Sequence, residues 1–479
     1  MQTPGAAADG AGRRGGTQGM VLTLALERVE FLPLGRVTDD TSVLTLRSLV
    51  FEPLCRWHDG RVEPGLLAAW AHEDGGRAWQ FALRSGASFH DGQPCTAEDV
   101  AETILAHLRG IDMFGMPWPY ARYLAGARIT PEGPGMLSIS TPEPLADLPE
   151  ILAEFFVMRA APDGAVTLGT GPYRVLDHAP RSHALLEAVD PRRAPARLRL
   201  VAEPDPAQRH RMVAEGTADA AANLERLADP GLRDATLRWG HAANTLSVMY
   251  YLDCRRGTFT HPAARRAVNL AVDAQAIIET VFHGLGVPAS TVVSPFHLGH
   301  REAALTPIPH DPAAARALFD QAGAQGELLI RTPLHMPERA PQISEMIAHD
   351  LARAGIPARI ETEADRPDYA RQVGRGQIGD LAIFDSSPAS TFRVLNDKIS
   401  SAVRGQWWQG FDDPVLEPLI SEANRTMDVA ARAQAYARCL RRLHENPPWL
   451  YLFHPVACFA ARPEAPPLAL DHRGVLMPV

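Results

Sequence analysis

The chain has 479 residues and a mass of 52.1 kDa; at roughly 100–200 residues per domain, this predicts two to four lobes. Hydrophobic residues make up 46% and charged residues 22%, which excludes gross disorder. The 47 basic and 56 acidic side chains leave a net charge of −9, which excludes a broad nucleic-acid-binding surface.

Lys398 is the sole lysine, so every other basic side chain is an arginine, a planar fork suited to carboxylates. Five cysteines occur, Cys55, Cys95, Cys254, Cys439 and Cys458, with no CxxC spacing. Their odd number and low density predict free buried thiols rather than a disulfide framework or a zinc-thiolate site, with one Cys55–Cys95 bridge as the alternative. No run of about 18 apolar residues is present, so no membrane-spanning helix is predicted.

Residues 1–20 are rich in Gly and Ala and read as a disordered segment in which no signal peptide is visible. Residues 21–26 (VLTLAL) predict a buried strand. Residues 41–54 carry a helical apolar period that stops at Pro53. Trp57-His58-Asp59-Gly60-Arg61 holds an Asp-Gly turn between two short runs, a hairpin signal. Trp79–Arg84 alternates and predicts a half-buried strand, and Thr96-Ala97-Glu98-Asp99 opens a helix with acids at its positive end.

Residues 111–145 read as a loop that is unusually aromatic, with Met113, Phe114, Met116, Trp118, Tyr120 and Tyr123. It either packs on its own lobe or lines a ligand cleft. Gly169-Thr170-Gly171-Pro172-Tyr173 is a turn feeding a strand; its glycines are read as positive-φ positions, and it lacks P-loop spacing. Residues 246–252 predict a second buried strand. His261-Pro262 opens one long helix ending near Gly284. Asp311-Pro312 caps a helix closed by Gly323. A helix over 341–354 ends at Gly355, strands follow at 356–361 and 381–384, and a helix capped by Asp428 runs to Leu443. A strand at 449–453 comes last. The helix–Gly–strand alternation across 310–385 indicates an α/β lobe.

Several of these blocks, taken together, resemble a known family. Glu52-Pro53-Leu54 with Pro64–Trp70, Phe81–Gly86, Phe89-His90-Asp91-Gly92, Thr96–Val100, Gly169–Tyr173, Arg265–Asn269 with Asp273, and Asp311–Gly323 are similar, in order, to the signatures of the bacterial extracellular solute-binding proteins, family five. These are the peptide- and nickel-binding components of ABC importers. The blocks cover about 45–460. The resemblance implies an α/β, type II periplasmic-binding-protein fold: two α/β lobes with an inserted β-rich subdomain. Lobe I would comprise 21–45, 151–247 and 455–479, the insert 46–150, and lobe II 248–454, with hinge crossings near 245–252 and 449–456.

The same resemblance implies a monomeric periplasmic carrier that closes on a small peptide or peptide-like solute and delivers it to a membrane permease, with no cofactor. Peptide binders of the family hold the ligand's amino group with an acid after the strand matching Leu381–Phe384, which falls on Asp385. The segment Asp385–Arg393 departs from the family's Gly- and Asp-Pro-rich pattern, which points away from an ordinary peptide specificity. Arg393 and Arg404 are candidate carboxylate grips. Trp407 and Trp408, with Trp118 and Tyr120 from the opposite lobe, are candidate cleft aromatics. A nickel or other metal chelate is the rival ligand, with His297 and His300 as its candidate imidazoles. A cytoplasmic solute sensor is the third reading. HExxH, GxSxG, P-loop and CxxC motifs are absent, so no enzyme is expected. His90-Asp91-Gly92 reads as a structural turn rather than an acid/base pair.

Overall fold

The computed structural model describes residues 21–58, 60–111, 117–227, 233–335, 339–404 and 408–479. Its organising feature is one 12-stranded sheet that passes through both lobes. The 13-residue strand Trp449–Ala461 makes this possible. Its first half pairs with Ser247–Leu252, and its second half with Arg238–Ala243. Twelve of its 13 positions are buried, which explains the unbroken apolar run WLYLF: a strand covered on both faces shows no alternation. The sequence period ends at Phe453 because His454 and Pro455 interrupt it; the strand itself continues.

On one side of this strand, Val21–Leu26 runs parallel to Arg197–Ala202, followed by the antiparallel strands His183–Ala188 and Tyr173–Ala179. On the other side, Leu381–Ser386 pairs antiparallel with Ser247–Leu252, and Leu328–Pro333 runs parallel to both Leu381–Ser386 and Ala358–Glu363. The helix Pro262–Ala271 ties the crossing strand down: Arg265, 4% exposed, donates to Phe259 and Pro447 carbonyls, and Asn269 bonds the backbone of Trp449 and Tyr451 at 2.9 and 3.0 Å.

Several expectations are corrected. The helix after Asp40 is Thr41–Val50 and stops three residues before Pro53, because the residue preceding proline is forced into extended backbone, here Glu52. The helix from Pro262 is two helices, Pro262–Ala271 and Ala274–Phe282, since Asp273 turns out to cap the second through the Ala276 N–H at 2.9 Å. The stretch read as a loop holds a helical turn, Tyr120–Tyr123, and the strands Arg128–Pro131 and Met136–Ser140; Met113, Phe114 and Met116 lie outside the described residues. All five cysteines are free thiols, as their odd number and spacing predict, so the alternative Cys55–Cys95 bridge is not formed.

The motif blocks do structural work. Glu52, 6% exposed, takes both Nη groups of Arg84, at 2.5 and 2.7 Å, so the first and second blocks lock together. His90 accepts the Gly169 N–H and donates Nε2–H to the Gly171 carbonyl at 3.1 Å. Gly169 and Gly171 are needed for close approach rather than for positive φ: a Cβ on Gly171 would lie 2.6 Å from the Val50 carbonyl oxygen. Thr96 and Asp99 form a reciprocal cap, the Thr96 N–H reaching Asp99 Oδ2 at 2.8 Å.

The core has a division that bears on the site. Leu46, Leu49 and Val50 pack in one core with Leu24 and Tyr173. The insert's core, with Phe81 and Trp118, is continuous through Phe155 of lobe I with Phe392, Leu395 and Tyr436 of lobe II. Among the described residues, no helix is long and apolar enough to cross a membrane.

Candidate interlobe binding site

The carboxyl end of Leu381–Ser386 opens onto the seam between the lobes, and Asp385 stands there, half-buried. The chain then turns through Pro388 into a short helical segment, Thr391–Val394, capped by the Ser390 hydroxyl accepting the Arg393 N–H at 3.2 Å. One further turn, Leu395–Ile399, brings Asp397 and Lys398 back over Asp385. Lys398 is 6% exposed and donates Nζ to the Asp385 carbonyl at 3.3 Å. Burial holds its ammonium down to about 8, against the pull of the Asp385, Asp397 and Asp39 carboxylates.

The insert supplies the facing wall. Tyr123 donates its hydroxyl to Asp397 at 2.5 Å and sets its ring edge-on to Phe392, centroids 4.8 Å apart. Tyr120 donates to Glu154 at 2.6 Å. Arg393 reaches both, its Nε on Asp397 at 3.1 Å and its Nη1 on Glu154 at 3.4 Å, with its guanidinium 5.3 Å from the Tyr120 ring centre. At the edge, Ser387 donates to Asp39 at 2.5 Å. Acids and bases from both lobes thus meet in one seam.

Asp385, Arg393 and Tyr120 are therefore brought together. Arg404 and Trp408 pair with each other, 5.1 Å from guanidinium carbon to ring centre, and Trp408 donates its indole N–H to the Phe411 carbonyl at 2.7 Å. Trp407 lies outside the described residues. Trp118 is 5% exposed and packs on Phe155 and Tyr120, because the aromatic stretch folds inward.

The two candidate imidazoles are both engaged by neighbouring groups. His297, 4% exposed, accepts at Nδ1 from the Ser294 hydroxyl at 2.9 Å and donates Nε2–H to the Pro388 carbonyl at 2.8 Å, leaving no nitrogen for a metal. Burial lowers it to about 4, so it stays neutral. His300 Nε2 lies 3.2 Å from the Ser290 hydroxyl. Among the described residues, no group of three or more His, Cys, Asp or Glu side chains is placed to hold a metal.

Sequence reading missed Asp397, Glu154, Asp39 and the role of Lys398. Arg393 and Asp397 are an i,i+4 pair, a signal that becomes readable only once the segment is taken as helical. Lys398 stood out as the single lysine, without a reason to place it.

The family model described as bacterial extracellular solute-binding proteins, family 5 Middle, matches residues 61–415. The chain belongs to this family. A nickel-binding periplasmic protein of Escherichia coli K12 is 25% identical to this solute-binding protein over 460 residues, 87% of this chain and 86% of that one. The "Probable di/tripeptide-binding protein 5" of Pseudomonas aeruginosa UCBPP-PA14 is 25% identical over 450 residues, 85% and 84% of the two chains. In structure, HbpA2 of Haemophilus parasuis superposes with a TM-score of 0.80 at 17% identity, covering 96% of this chain and all of that one. The type II periplasmic-binding fold is thereby shown, and a solute-binding protein of this family serves ABC import by holding its ligand rather than transforming it.

Proposed function

We propose that this solute-binding protein captures a small peptide or peptide-like solute in the seam between its lobes and, acting as a monomer in the periplasm, hands it to the permease of an ABC importer. The observation that carries the reading is the mixed charge of the seam. Asp385, Asp39 and Glu154 stand beside Arg393 and Lys398, drawn from both lobes. Such a wall suits a zwitterion, whose ammonium and carboxylate each need an opposite partner once water is removed. Binding energy from both lobes favours the closed state and shifts the population toward it. Relatives named for di/tripeptides and for nickel both fit the fold; the engagement of His297 by Ser294 and Pro388 favours the peptide.

Native mass spectrometry of the purified protein tests this, with a co-bound mass of peptide size expected. A nickel isotope pattern would sink the peptide reading. By calorimetry, Asp385→Ala should weaken a free-amine peptide by at least ~1.5 kcal/mol; an unchanged Kd removes Asp385 from the site.

A further inference from the structure

Lobe II carries a second cavity at the opposite ends of its strands from Asp385. It has a volume of about 570 Å3 and is lined chiefly by Arg255, Arg256 and Arg331, with Gly376, Gln377 and Gly379. No acidic side chain is among the described residues lining it. The acids sit behind the arginines. Asp253, 1% exposed, takes Arg255 Nε and Nη2, each at 2.9 Å, and Arg256 Nε at 3.1 Å. One carboxylate thus orients two guanidiniums and leaves that triad with a net positive charge.

The third arginine is held as firmly. Arg331 is 8% exposed, donates Nη1 to the Gln377 carbonyl at 3.0 Å and Nη2 to Gln372 at 2.6 Å, and has Glu361 3.1 Å from its Nε. Asp380 is spent on the Leu329 N–H at 2.7 Å. The backbone makes room on purpose: the Arg255 side chain runs so close to Gly376 and Gly410 that a Cβ at either would collide with it, and Gly376, Gly379 and Gly410 all have positive φ. Arg256, by contrast, is anchored at Nε with 73% of its side chain exposed.

We propose that this cavity is a second ligand site, which binds the phosphate group of a small phosphorylated solute or free phosphate, away from the seam that takes the transported solute. The N–H groups that these bonds leave over, those on the Nη atoms of Arg256 above all, can donate to a tetrahedral oxyanion, and such charge-assisted bonds are among the stronger ones available at a surface. The volume falls within the range of small-molecule sites, so an organic group on the phosphate also has space.

Calorimetry at low ionic strength tests the site with two probes, inorganic phosphate and glycerol phosphate. Saturable binding in the millimolar range or tighter is expected. Arg256→Glu should weaken it at least about tenfold. Arg192→Glu, an equally drastic change at an exposed arginine of lobe I, should leave it unaltered. Tighter binding of glycerol phosphate assigns the cavity to organic phosphates; equal binding assigns it to phosphate itself. Absence of saturable binding of both probes, or an Arg256→Glu protein that binds as the parent does, overturns the proposal. Binding in the interlobe seam is read separately and is expected to survive Arg256→Glu.

Discussion

Arg393 of lobe II and Glu154 of lobe I meet across the seam, Nη1 to Oε2 at 3.4 Å, while the same guanidinium holds Asp397 through Nε at 3.1 Å. The Arg393 side chain is only 18% exposed and that of Asp397 only 3%. One cation thus balances two carboxylates contributed by two parts of the molecule. Removing it leaves both acids partly desolvated and without that partner, which is where the cost of breaking such a contact lies.

Arg393→Gln should therefore lower stability by about 2–3 kcal/mol in urea unfolding, since the cluster is less than fully buried. Small-angle scattering should also show a more open molecule. Tyr123→Phe, which removes only the hydroxyl on Asp397, should cost about 1–2 kcal/mol. If both variants unfold with the parent's midpoint, the cluster does not hold the lobes together.

Lys398 gives a pH prediction with an unusually clean readout. Its folded value, lowered to about 8 from 10.5, means that the unfolded chain binds more protons between those limits. The burial penalty is thus present in full below pH 8 and is relieved as pH rises toward 10.5. Lys398→Met should be more stable than the parent at pH 7, by a margin that shrinks as pH rises. Because no other lysine exists, carbon-labelled lysine should give one Cε resonance in NMR, titrating near pH 8. A midpoint above 10 would falsify the buried placement.

The acid side is set by histidines. Burial lowers His107 and His297 to about 4 and His454 to about 3. Each contributes stability that is complete above 6.5 and is lost as pH falls from there toward the folded value. Urea midpoints should fall steadily from pH 7 to pH 5, and His297→Gln should flatten that slope while costing about 1–3 kcal/mol at pH 7 for the lost Ser294 and Pro388 bonds. A slope identical to the parent's would mean that His297 is charged in the fold. The same variant should leave affinity for a nickel–histidine complex unchanged.

Gly171→Ala tests the docking of the GTGPY turn. The added methyl meets backbone rather than a movable side chain, 2.6 Å from the Val50 carbonyl oxygen. Overpacking against backbone should cost about 1–3 kcal/mol, seen as a lower Tm. A Tm equal to the parent's would show that the turn can retreat.

Much of the frame was readable because it rests on local rules. Asp311, Asp428 and Thr96 cap their helices, Gly323 takes positive φ just beyond the helix that Asp311 opens, and Gly355 does so beyond Ala340–Arg353. The apolar runs at 21–26 and 247–252 are buried strands. Legibility failed where distant partners decide. Asp273 reads equally well inside one long helix or as the cap of a second. The full length of Trp449–Ala461 depends on strands more than 200 residues earlier. Trp118 looks like a cleft aromatic until Phe155 supplies its neighbour. The seam was the hardest part, since Glu154 and Arg393 are 239 residues apart, and no local pattern marks either as the other's partner.

The shared strand has a consequence for how the molecule is made. Trp449–Ala461 is the central staple of both halves of the sheet, yet it is synthesised after all the strands it joins. Neither half can close its hydrogen-bond ladder until ribosomes have passed residue 448. A chain interrupted there does not yield one finished lobe and one ruined one; it loses the spine of both.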